Sequence, residues 1–178
     1  MIPELGQTIR VLTLTQPWAT LVAIGAKRIE TRSWGTDYRG PLAIHAAGKW
    51  SRWDRDLCYT TPFFEALKGV YPQLAESAEP KMLPTGCIVA VGRLRSVVRI
   101  DESRTERYGW LPGFGDGADT SSWTVPPPEP ERSFGFYHTG RRAWLLDEVS
   151  ALQTPIPHKG AQGLRSFVWN QNIPSVPG

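Results

Sequence analysis

Residues 15–46, TQPWATLVAIGAKRIETRSWGTDYRGPLAIHA, hold the side chains of this sequence best suited to chemistry. Lys27 follows a glycine turn, where its ammonium could approach a phosphate or a polarised carbonyl. Glu30 and Arg32 stand two apart and could hold each other as an ion pair, leaving Glu30 to accept from a base amino group. A desolvated Glu30 beside Lys27 could instead act as a general base toward water. Trp18 and Trp34 flank this charged strand, and stacking on such rings contributes about 1–3 kcal/mol per base. Gln16 can read a base edge through its amide or bond the backbone where a helix begins. Tyr38 and Arg39 lie in a turn, where exposure favours phosphate contact. His45 faces away from the apolar side of its strand, toward a ligand or toward backbone groups. Trp144 and Arg165, from late strands, could complete the far wall or serve as a core ring and a surface charge. Rings that cover a base face and charged groups that address its edges suit a pocket for a flat polar ligand.

Other chemistries lack their signatures. His45, His138 and His158 share no metal-ligand spacing with one another or with Cys58 and Cys87, so no metal is expected. The two cysteines form no C-x-x-C pair and imply no disulfide framework. No glycine-rich loop follows a strand and opens a helix, which removes the usual nucleotide-cofactor readings, and no Ser-His-Asp pattern appears. The net charge of +3 permits a polyanionic partner without requiring one. Eight tryptophans is a high number; large aromatics bury well, so burial accounts for about half of them. No stretch approaches the roughly 18 apolar residues of a membrane span and no signal peptide opens the chain, so a cytoplasmic protein without membrane contact is expected.

The elements that must position these residues follow from patterning. Residues 9–15 read as a buried strand. Pro17 sits at a first helical turn, and Trp18, Leu21, Val22 and Ile24 share one face of a short helix closed by Gly25. Residues 27–33 alternate as a strand, with Ile29 and Thr31 on one face and Arg28, Glu30 and Arg32 on the other. A turn at 38–40 leads to a strand over 41–46. Residues 50–70 form two helical pieces split near Thr61-Pro62, with Thr61 as cap. A long strand spans 87–100, with Gly92 as a bulge or bend. Residues 101–133, rich in Gly, Pro, Ser and Asp, read as a long loop over the site, with Trp110 and Trp123 as lid contacts. Strands return at 141–149 and 164–169, around a loop at 155–163. One α+β domain over 1–178 results, with a mainly antiparallel barrel-like sheet and a few short, mostly N-terminal helices. It carries a helical decoration at about 50–80 and the insertion at about 101–133.

The motifs L-T-Q-P-W-A at 14–19, G-x-K-x-x-E-x-R-S-W at 25–34 and Y-R-G-x-L-x-I-H-A at 38–46 resemble the ASCH domain, a branch of the PUA-like β-barrels. P-x-G-C-I-V-A-V at 84–91, F-G-x-Y at 134–137, R-x-A-W at 141–144 and P-I-P-x-K-G-x-Q-G-L at 155–164 agree with it. The resemblance implies binding of RNA or another nucleic acid in a barrel cleft, with a modified nucleotide as one ligand class. It also admits a hydrolase acting on an acylated nucleoside or on RNA, with Lys27 and Glu30 as the acid–base pair. In the family's amidohydrolases a Lys and a Thr lie three apart with an Arg two further on. Glu30 stands here where that Thr would be, so that scheme does not transfer unchanged. A third reading is a scaffold whose TVPPPEPE segment, in an extended polyproline conformation, meets a protein partner.

Overall fold

The computed structural model describes residues 3–72, 83–103, 106–108 and 123–170, the side chains of 106–108, 123 and 124 excepted. Its elements are β1 (Thr8–Leu14), α1 (Trp18–Ala23), β2 (Ile29–Arg32), β3 (Gly40–Ala46), α2 (Arg52–Leu57), α3 (Phe63–Lys68), β4 (Cys87–Arg99), β5 (Glu106–Tyr108), β6 (Trp123–Val125), a 3-10 turn (Glu131–Phe134), β7 (Arg142–Pro157) and β8 (Leu164–Val168). Six strands form one mixed sheet in the order β2-β7-β4-β3-β1-β8, parallel only between β1 and β3. This is the α+β architecture the pattern predicts. The barrel, however, is not closed: β2 and β8 are free ends of the hydrogen-bonded ladder among the described residues.

The alternation of each strand divides the apolar residues between two faces. Leu12, Leu14, Leu42, Ile44, Val89 and Leu94 pack with Trp144 and Leu146 beneath α1. Ile9, Val11, Ala43, Ile88 and Val91 pack on the other side with Trp169. Gly92 sits where the β4–β7 register shifts, between Val91 and Arg93. A Cβ there would come within 2.8 Å of Val149 Cγ2. The bulge therefore lets β7 approach closely, as only a missing side chain permits.

The helical decoration is part of the core. Phe63 and Leu67 of α3 bury with Leu21, Cys58, Leu83 and Phe134. Ser51 caps α2 through a reciprocal capping box with Asp54, a signal absent from the sequence reading. Thr61 does not cap α3; the residue before the helix is Pro62, with no side-chain cap bond. The 101–133 insertion contains the β5–β6 pair rather than loop alone. Trp110 lies outside the described residues, and Trp123 is placed by its backbone on β6. Val125, Pro126 and Pro127 are buried, so these first residues of the proline-rich piece face the body of the protein. β7 runs on to Pro157, where a loop was expected from residue 155, because Ile156 pairs with Ile88 and packs beside the second core cluster. Apolar burial outweighs the local proline signal, and Pro157 is tolerated at the strand's end. No helix among the described residues is long and apolar enough to cross a membrane.

Candidate functional site

The site forms where the sheet fails to close. β8 pairs with β1 only as far as Leu12↔Leu164. Beyond that point the carbonyl of Thr13 accepts from Arg32 Nη2 at 2.7 Å, so a side chain from edge strand β2 spans the seam. Ile29 turns inward to pack with Tyr137, Ala143 and Leu145, and strand alternation sends Glu30 and Arg32 the other way. Arg32 Nε lies 3.1 Å from Glu30 Oε1.

Beneath them Lys27 is fully buried. Its Nζ donates to the carbonyls of Ile29 at 2.5 Å and Phe134 at 2.9 Å, and stands 3.6 Å from Glu30 Oε2. Burial lowers its pKa, while Glu30 and Glu131 pull in the opposite sense. The ammonium thus ties β2 to the 3-10 turn and holds Glu30 from behind. Glu131 completes the support: its Oε1 accepts the backbone N–H groups of Arg28 and Ile29. Burial pushes its carboxyl pKa up, against the pull of those amides and of Lys27.

Two cavities meet along this seam and share Thr13, Arg32 and Ala47. The larger, about 1000 Å³, is lined by Arg32, Lys159, His45, His158, Gln162 and Trp34, with glycine backbone at 48, 86, 160 and 163. The described residues that line it include no carboxylate. His45 Nε2 donates to the carbonyl of His158 at 2.9 Å, so its Nδ1 is left to accept from Thr13 Oγ1 at 3.2 Å. Burial lowers the His45 pKa and favours this neutral ring. Gly160 lies against it so closely that a Cβ would come within 2.5 Å of the ring. The smaller cavity, about 380 Å³, is lined by Trp18, Trp53, Phe134 and Phe136 and by Glu30, Arg32 and Asp54. Trp18 stacks on Trp53 with centroids 6.3 Å apart and donates its indole N–H to the carbonyl of Phe134 at 2.9 Å.

Of the residues singled out from sequence, the cleft gathers Trp18, Glu30, Arg32, Trp34 and His45. Lys27 lies under it and lines neither cavity. Gln16 is fully buried; its amide donates to the Pro84 carbonyl at 2.7 Å and accepts from the Thr20 N–H at 3.1 Å, so it holds the start of α1. Trp144 is a core ring that donates to the Trp34 carbonyl and packs edge-on against Trp34 at 4.7 Å. Tyr38 bonds the Pro41 carbonyl and Arg39 the carbonyls of Thr36 and Tyr38, away from the cleft lining, while Arg165 lines neither cavity and bonds the carbonyl of Gln162, which lines the larger one. Sequence reasoning missed Thr13, Trp53, Phe136, His158 and Lys159. Trp53 and Phe136 carry a signal in hindsight: large rings flanked by polar residues, in segments where a core needs none. Among the described residues no group of His, Cys, Asp and Glu could hold a metal ion.

Comparison with known proteins bears on the family of the chain. The ASCH domain family model matches residues 12–112, more than half of the chain, and the motifs at 134–164 lie beyond that span. The chain is 55% identical over 38 residues to activating signal cointegrator 1 of Mus musculus and 53% identical over 38 residues to that of Homo sapiens. Each alignment covers 21% of this chain and 6% of the relative's length.

Proposed function

Since the chain belongs to the ASCH domain family, we propose that it is a binding module for single-stranded nucleic acid, RNA foremost, held in the cleft where the two cavities meet. The observation that carries this reading is the sharing of Arg32 between a basic cavity and an aromatic one. Cations and glycine backbone, without carboxylates among the lining residues described, suit a phosphodiester backbone. Rings from α1, α2 and the segment after the 3-10 turn suit a base. The volumes of about 1000 and 380 Å³ fall in the range of ligand sites. RNA rather than DNA comes from the family resemblance.

The test is fluorescence anisotropy with a labelled oligouridine decamer across a salt series. Affinity should fall as salt rises, and Lys159→Ala should reduce the log–log slope by about one. Absence of binding at low salt would overturn the reading. The hydrolytic alternative draws no support from the geometry, because the Lys27 ammonium is committed to two carbonyls and Glu30 with no face on either cavity.

A further inference from the structure

We propose that the smaller cavity selects guanine, with Glu30 and Arg32 reading its Watson–Crick edge and Trp53 and Phe136 covering its faces. This rests on the binding reading above and adds the identity of the base.

Two carboxylates line this cavity, Glu30 and Asp54. Asp54 cannot offer two oxygens side by side, since its Oδ2 accepts from the Ser51 N–H at 2.8 Å and from the Ser51 hydroxyl at 2.9 Å to cap α2. Glu30 is held rather than occupied. Arg32 Nε meets Oε1 at 3.1 Å and Lys27 Nζ stands 3.6 Å from Oε2, one cation on each oxygen. A carboxylate has about four lone-pair sites, so each oxygen keeps a direction in which to accept. With a cation at each oxygen, the site does not require a charged ligand to balance Glu30.

An acceptor-only group with two adjacent oxygens matches a base with two adjacent N–H donors. Guanine alone among the four standard bases offers this, at N1 and at the 2-amino group. Adenine and cytosine place a ring-nitrogen lone pair beside their amino group, and uracil flanks its single N–H with carbonyls. Each of these turns a lone pair toward the second oxygen of Glu30. Arg32, adjacent on the strand face and lining the same cavity, supplies a donor for the guanine O6. The order donor, acceptor, acceptor along Arg32 and Glu30 complements guanine's acceptor, donor, donor.

The stacking surfaces are present and wet. Trp53 is 57% exposed and Phe136 54% exposed, and both line this cavity from different segments. Large apolar rings left in water at the mouth of a polar-floored pocket are what a flat ligand would cover. The Phe136 N–H donates to Thr31 Oγ1 at 3.0 Å, which fixes that ring's segment to the strand carrying Glu30.

The experiment uses the full chain and oligouridine decamers whose fifth base is G, A, C, U or inosine, measured by anisotropy at one low salt concentration. The G decamer should bind roughly tenfold tighter or more than A, C and U, the discrimination expected of a good bidentate contact. Inosine, which lacks the 2-amino group, should fall between. Glu30→Gln replaces one acceptor oxygen by a donor and should bring the five affinities to within about threefold, with stacking-driven binding retained. Trp53→Ala, at an exposed position, should weaken all five together. If the wild-type protein binds G no more tightly than A, C and U, guanine selection is overturned while nucleic-acid binding stands. If inosine equals guanine, the two-oxygen contact of Glu30 with N1 and the 2-amino group is overturned. If no decamer binds, the binding reading itself falls, and this inference with it.

Discussion

Glu131 is the support on which the site's edge strand depends, and removing it is the most informative perturbation of the fold. Its Oε1 accepts from two consecutive backbone N–H groups, those of Arg28 and Ile29, at 2.5 Å each. As an edge strand, β2 has no neighbouring strand on that side among the described residues, so these amides have Glu131 in place of a ladder. Hydrogen bonds to a charged acceptor contribute about 1.5–3 kcal/mol each, so losing both amounts to about 3–6 kcal/mol. Two effects offset this. The amides of an edge strand can recover water, and the buried carboxylate is itself unfavourable, as its raised pKa shows. We therefore expect Glu131→Ala to destabilise by about 2–4 kcal/mol, a large part of a typical domain's 5–15 kcal/mol. Glu131→Gln keeps an amide oxygen in the same place and should lose about 1 kcal/mol. Urea unfolding monitored by tryptophan fluorescence measures both. The pH dependence adds an independent check. A raised carboxyl pKa means that the folded state binds more protons than the unfolded state in that window. The associated stability is full below the unfolded pKa and is lost as pH rises through the folded one. That slope should vanish in Glu131→Gln. Equal unfolding midpoints for the Ala and Gln variants would refute this account of β2.

Three further outcomes are expected. Gly92→Ala forces a Cβ to within 2.8 Å of Val149 Cγ2 and 3.1 Å of the Asp147 carbonyl, so it should lower stability by about 1–3 kcal/mol; an unchanged thermal midpoint would contradict the close β4–β7 approach. Because burial lowers the His45 pKa, its contribution to stability is complete above the ordinary imidazole range and is lost as pH falls through the folded value. Thermal melts between pH 7 and pH 5, about the window of the free imidazole, should show this loss, and His45→Gln should reduce it. Cys58 and Cys87 are buried, and burial pushes the Cys58 thiol up to about 12, so iodoacetamide should label Cys58 only in denaturant; rapid labelling of the native protein would place Cys58 at the surface.

Much of this molecule is legible in its sequence because local pattern and tertiary environment agree. The charged face of residues 28–32 reads directly as alternation, and Glu30 and Arg32 do share a face that Ile29 does not. Gly92 reads as a break in a long strand, and the register shift lies there. Failures cluster where side chains of similar type serve different ends. Gln16, Trp144 and Lys27 have the composition of a binding site, yet each is consumed by nearby carbonyls. A buried amide, indole or ammonium needs partners as much as a ligand does, and sequence does not say which partner it finds.

The sequence by itself determined the strand alternation and the order along the chain of the six main-sheet strands, since these follow from spacing along a single chain, while its motifs carried the resemblance to the family. Only the tertiary structure decided that the barrel stays open and that Arg32 crosses the opening to the Thr13 carbonyl. It alone brought Trp53 from α2 and Phe136 from the segment after the 3-10 turn to the cavity lined by Glu30. The reason is distance along the chain. Alternation is set by neighbouring residues, whereas a cleft is set by which distant backbone groups remain unpaired once the strands have found their partners.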